Sequence, residues 1–120
     1  MNRLIAIGAA SFAGMGVVSF LKPDVVTSVV GVAAPHADAR TELRAVYGGM
    51  PLALAATLAA APSSGTVIGV ATAGMAAGRA GSSYFEGGLS PKMKGFMALE
   101  IALAGALVLG ARQHRKALTA

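Results

Sequence analysis

The stretch "RTELRAVYGGMPLALAATLAAA" (residues 40–61) decides how the chain reads. Its second half is almost all alanine and leucine, good helix formers that also suit lipid. Its first half holds two arginines, a glutamate, a tyrosine, two glycines and a proline. One segment therefore begins as a polar, irregular helix and ends as a plain apolar one. The rest of the chain shows whether that pattern belongs to a water-soluble core or to a membrane.

Outward from this stretch, the apolar residues fall into blocks of nearly spanning length. The 120-residue chain is 55% hydrophobic and 12% charged, with mean hydropathy +0.67. That is more apolar surface than one small soluble core can hide. Four spans are expected, at 4–21, 45–61, 66–82 and 95–111, each about 17–18 residues or ~25–27 Å. The expected fold is all-α: one integral membrane domain, residues 1–120, built as a four-helix transmembrane bundle. The first span reads as a retained helix, because no convincing cleavage site precedes Lys22-Pro23-Asp24.

The connections differ in kind. "APSSG" (61–65) is a tight uncharged turn and predicts an antiparallel hairpin of the second and third spans. "SYFEGGLSPK" (83–92) is a longer polar loop. "VVTSVVGVAA" (25–34) is apolar but too short to span. With Pro23 placed for a first helical turn, it predicts a short interfacial or re-entrant helix between helices 1 and 2.

Charge bounds partners and sidedness. The formal net charge is +5, but aromatic residues are only 5% and the charges sit in loops and ends, so nucleic-acid binding is not expected. Four spans put both termini on one side with Arg3, Arg112, Arg115 and Lys116. The other side carries Lys22, Arg40, Arg44, Arg79, Lys92 and Lys94. A raw count favours the second group. The basic tail after the last helix and Arg3 before the first still favour termini on the cytoplasmic side. A bacterial inner-membrane location is expected.

Without water between helices, close backbone approach through small residues drives association. Spacing-four rows of small residues run through Ala45, Gly49, Ala53, Thr57 and Ala61; Gly65, Gly69, Ala73 and Ala77; Ala98, Ala102, Ala106 and Gly110; and Ala6, Ala10 and Gly14. Gly48, Gly49, Gly69, Gly74 and Gly78 are the expected packing glycines of a narrow bundle without a wide pore.

Three ionisable residues touch the spans: Arg44 at the start of the second, Arg79 near the end of the third, and Glu100 inside the fourth. Helix direction puts all three near one depth. A carboxylate there needs a partner, so Glu100 is expected to pair with Arg79 or Arg44. Tyr47, three residues after Arg44, is placed to brace its guanidinium. Asp38 reads as an N-cap. Pro51 cannot donate to the Tyr47 carbonyl, which predicts a kink and a freed acceptor. Arg44, Tyr47, Arg79 and Glu100, with Tyr84 and Glu86 nearby, outline a basic pocket for an anionic headgroup, a carboxylate or a quinone-like ring.

"ELRAVYGGMPLALA" and "AGRAGSSYFEGG", with Glu100 in the last helix, resemble the bacterial family called domain of unknown function 4345. The resemblance covers nearly the whole chain. Arg44, Ala45, Tyr47, Gly48 and Gly49 are its most specific part, with Gly78, Arg79 and Glu100 in support. It implies small four-helix membrane proteins distantly similar to DoxX-like proteins, and no established activity. Pro51 departs from the ordinary helix formers associated with that position.

The chain lacks cysteine, and no P-loop, dinucleotide fingerprint, nucleophile elbow or zinc-protease motif occurs. His36 and His114 lie outside the spans, which excludes a bis-histidine haem within the bundle. Asp24, His36 and Asp38 match no standard metal spacing. No catalytic residue, cofactor or metal is expected. The leading expectation is a non-catalytic accessory or scaffolding subunit that packs against other membrane subunits, or against copies of itself, among membrane lipids. Lipid or quinone binding at the polar pocket is the alternative. A proton-coupled transporter built on Glu100 comes third, because adjacent arginines hold a carboxylate ionised.

Overall fold

A computed structural model describes residues 1–120. Five helices follow in order: α1 (Arg3–Leu21), α2 (Pro23–Val30), α3 (Ala37–Ala60), α4 (Gly65–Glu86) and α5 (Pro91–Thr119). A single 3₁₀ turn, Pro62–Ser64, links α3 to α4. Three helices, α1, α3 and α5, are long and apolar enough to cross a membrane. The 22-residue α4 is long enough too, but Arg79 and five glycines dilute its apolar character.

The helix ends do not follow the apolar blocks, because local caps end helices where hydropathy does not. Asn2 caps α1, its Oδ1 accepting from the Ile5 N–H at 3.0 Å. Ser90 caps α5, accepting from the Met93 N–H at 3.2 Å, and Pro91 follows at the first helical position. Gly31 and Gly87 end α2 and α4 in the left-handed conformation, at φ 75° and 73°. His36, not Asp38, precedes the first turn of α3; Asp38 sits inside that turn, where its charge favours the helix dipole. The basic tail with Arg112, Arg115 and Lys116 continues α5 as helix, and His114 lies half-buried on it rather than in a loose tail.

The long helices stand in an open row: α3 packs on α1, α1 on α5, and α5 on α4. The molecule is accordingly flat, 53 × 33 × 17 Å. The expected α3–α4 hairpin exists only at its turn; beyond it the two helices part. The reason lies in which glycines find neighbours. A Cβ built at Gly16 would lie 2.7 Å from Leu52 Cγ and 2.8 Å from the Gly48 carbonyl, so α1 and α3 meet there. One built at Gly65 would lie 2.7 Å from the Leu107 carbonyl, and one at Gly69 3.0 Å from the Ala104 carbonyl. Those contacts bind α4 to α5 instead of to α3.

The spacing-four rows describe these interfaces only in part: Gly65, Gly69 and Gly110 sit at contacts, and most other members do not. Gly74 and Gly78 face open space, Gly49 is exposed, and so are Ala45, Ala53, Thr57, Ala73, Ala77, Ala98 and Ala102. On α1 the buried face is Ile5, Gly8, Ala9, Phe12, Gly16 and Ser19, not Ala6, Ala10 and Gly14. Four residues turn a helix by about 400°, so such a row drifts ~40° per step and leaves the contact after two or three. The buried faces mix steps of three and four, as in Gly65, Ile68 and Thr72 or Ala104, Leu107 and Ala111.

The core sits at one end. Ile5, Ala9, Phe12, Ala55, Leu58, Ile68, Leu107 and Ala111 cluster where the start of α1 meets the end of α5 and the α3–α4 turn. Asn2 Nδ2 donates to the Gly110 carbonyl at 2.7 Å and locks that end. At the opposite end α3 and α4 diverge, and α2 folds across between them.

Candidate functional site

The divergence leaves a cleft of about 1040 Å³, in place of the narrow bundle expected. All five helices line it, and 18 of its 25 lining residues are hydrophobic. Met15 and Val18 come from α1, Tyr47 and Met50 from α3, and Met75 from α4. The short helix α2 contributes Val25, Val26, Val29 and Val30, and its last turn is tied to α5 by Lys92 Nζ donating to the Val29 carbonyl at 2.9 Å. Composition marks α2 as an unusual piece; only the fold shows that its valines wall a cavity.

The polar end of the cleft is built by α4 and α5. Arg79 continues the α4 face of Ile68, Thr72 and Ala76, and Glu100 continues the α5 face of Ala104, Leu107 and Ala111. Helix periodicity therefore turns both toward the same interface. Arg79 Nε donates to Glu100 Oε1 at 2.5 Å, with side chains 27% and 12% exposed. Of the two pairings expected for Glu100, the one with Arg79 forms. Arg79 Nη1 also donates to Met93 Sδ at 3.2 Å, and the guanidinium lies 5.4 Å from the Phe96 ring centroid. Cation–π contact and sulfur thus take up much of what the carboxylate leaves. Met93 and Phe96 escape a reading for charged groups. Their spacing to Glu100, seven and four residues back along α5, was the available signal.

Glu100 Oε2 is different. It is shielded from solvent and has no hydrogen-bond partner in the chain. Thr72 and Ser11, also at the cleft, turn their hydroxyls back to the Ile68 and Ile7 carbonyls of their own helices, each at 2.8 Å.

The arginine opposite does something else. Arg44 Nε donates to the Phe20 carbonyl at 2.9 Å, satisfying an acceptor in the last turn of α1. It is not near enough to Glu100 to share it, so the site is less basic than three charges at one depth suggest. Arg40 likewise donates backward, to the Ala34 and Pro35 carbonyls at 3.4 and 3.3 Å. Tyr84 and Glu86 do not join the cleft: both are exposed, Tyr84 by 86%, and Tyr84 meets Phe85 edge-on with ring centroids 5.4 Å apart.

The region before Pro51 is irregular as expected, but its form is a π turn over Arg44–Gly49. The Met50 N–H bonds to the Ala45 carbonyl, five residues back. The helix takes in one extra residue per turn ahead of the proline and then continues as α-helix to Ala60. The widened turn leaves Gly48 buried against Phe20 and puts Tyr47 and Pro51 in the cleft wall.

A family model described as "Domain of unknown function (DUF4345)" matches residues 1–111. The chain belongs to the DUF4345 family. The match ends at Ala111, the last core residue of α5, so the DUF4345 region holds both the closed end and the cleft. No curated protein and no solved structure matches this DUF4345 chain.

Proposed function

We propose that this chain is a non-catalytic integral membrane protein that holds one long apolar molecule, a lipid or a quinone, in the cleft between α3 and α4. In this reading all four long helices cross a bacterial inner membrane, with both termini cytoplasmic, and α2 lies at the far interface. The observation that carries it is a single cleft with an apolar body and one polar end at Arg79 and Glu100. Its size matches small-molecule sites, which run about 300–1,000 Å³, and a few convergent polar groups orient the occupant. Ala71 lines the cleft and is itself exposed, so Ala71→Trp fills the space without disturbing a buried contact. Native mass spectrometry of the chain extracted in nanodiscs should find one retained molecule per chain and its loss in Ala71→Trp. Equal retention in both would overturn the reading.

A second reading, an accessory or scaffolding subunit, is favoured by the parted edges of α3 and α4. The unused small residues Ala45, Gly49, Ala53, Gly74 and Gly78 lie exposed and suit another helix at close range. A lone monomer recovered by native lipid extraction would count against it.

A further inference from the structure

Resting on the reading that the long helices cross a bilayer, though not on the cleft, we infer that the closed end is a docking surface for anionic phospholipid headgroups. The chain's positive charge is unevenly spread. Of its net +5, four belong to this end, as Arg3, Arg112, Arg115 and Lys116, with the N-terminal amine beside them and no carboxylate. At the opposite end Lys22, Arg40, Arg44, Lys92 and Lys94 stand among Asp24, Asp38, Glu42 and Glu86. Arg79 and Glu100 neutralise each other between the two.

The fold gathers these cations at one level. Asn2 Nδ2 donates to the Gly110 carbonyl at 2.7 Å, which brings Arg3 level with the segment that leads into Arg112. Helix α5 runs on past its last core residue, Ala111, for roughly two turns, about 12 Å. Arg112, Arg115 and Lys116, spaced as i, i+3 and i+4, share one side of that extension. Arg115 Nη1 reaches back to Thr66 Oγ1, at 3.1 Å, in the first turn of α4. Its guanidinium is thereby held beside the start of α4, where an apolar span begins, which is headgroup depth in the spanning reading. An orientation signal needs only basic residues in a loose segment. This end instead mounts them on helices, and all four are exposed.

Charge and position decide the occupant. Like charges gathered without an internal counter-ion repel one another, and an anionic surface offsets that cost. Each Lys or Arg near an anionic leaflet adds to the attraction, which falls off within a Debye length, so cations at the surface count and distant ones do not. Nucleic acid would meet the same charge without an aromatic platform: the exposed aromatic rings, Phe20, Tyr84 and Phe85, all lie at the other end.

The test places the full-length chain in nanodiscs of equal parts palmitoyl-oleoyl phosphatidylcholine and phosphatidylglycerol, and counts the lipids that leave with it in native mass spectrometry. Phosphatidylglycerol should exceed phosphatidylcholine among them by about tenfold, and by less at high ionic strength. Arg112→Gln with Lys116→Gln should remove most of that excess. Lys22→Gln with Lys94→Gln makes the same change in charge at the far end and should leave it nearly unchanged. All four positions are exposed, so neither double variant empties the core. Ala71→Trp, which fills the cleft, should also leave it unchanged. Equal retention of the two lipids by the unaltered chain, or an equal fall in both double variants, overturns the inference and leaves the cleft reading standing. A fall in Ala71→Trp alone makes the anionic lipid the occupant of the cleft, which overturns this inference and supports that reading. A chain that does not enter nanodiscs sinks both.

Discussion

The two ends of this molecule are made of the same kinds of residue and behave differently. At the closed end, Ile5, Leu58 and Leu107 are fully buried, and glycines let the α4 and α5 backbones come together. At the open end, the same helices carry glycines with nothing near them, and the contact is instead one ion pair beside an apolar cleft. Close packing through small residues and a polar clamp are thus alternative ways of joining helices here. The first leaves no space and the second leaves room beside it.

The largest effect should come from filling the closed end. Gly65→Leu pushes a side chain into Ile5 and the Leu107 carbonyl, and Leu107→Ala empties the core; each should cost about 3 kcal/mol. Gly74→Leu, facing open space, should leave thermal unfolding in detergent nearly unchanged. A similar loss at both glycines would erase the contrast between the ends.

Breaking the clamp should rank next. Arg79→Ala leaves Glu100 buried and unpaired and should cost roughly 2 kcal/mol, below the fully buried case because Arg79 is partly exposed. The double replacement Arg79→Met with Glu100→Leu should recover most of that loss, since an apolar pair of similar size suits the same interface. A denaturant series on the three chains checks the order. If the double variant is as weak as the single one, the ion pair is more than a clamp.

Smaller still is the strap from α5 to α2. Lys92→Met removes the bond to the Val29 carbonyl, about 1 kcal/mol, and should speed amide exchange in residues 23–30 while leaving the closed end unaffected. Unchanged protection of residues 23–30 in Lys92→Met would show that α2 is held by its valines alone. The least effect, opposite in sign, is expected at Gly78→Ala: helix propensity should stabilise α4 by about 0.5–1 kcal/mol, because no neighbour opposes the new methyl group.

Much of this was legible in the chain. The apolar blocks located four long helices, though not their ends, since Ser90, Gly87 and Asn2 act through local backbone chemistry that hydropathy does not register. The common depth of Arg79 and Glu100 followed from helix direction. Their choice of each other over Arg44 did not, because Arg44 had a competing acceptor in Phe20, distant in sequence. The small-residue rows found Gly65, Gly69 and Gly110 but misled over most of their length, because a constant step of four drifts around a 3.6-residue helix. Pro51 did announce irregular backbone, and the fold answered with a π turn upstream of it.

The sequence by itself determined that the chain is helical and apolar, that Glu100 would need an arginine partner, and to which family it belongs. The row order α3, α1, α5, α4, the parting of α3 from α4 and the cleft between them were decided only in three dimensions. Periodicity within a helix reports which residues share a face, through neighbours three and four places apart. Which face meets which helix is settled by shape: Gly16 fits Leu52 and Gly65 fits Leu107, pairs separated by tens of residues whose match no local pattern encodes.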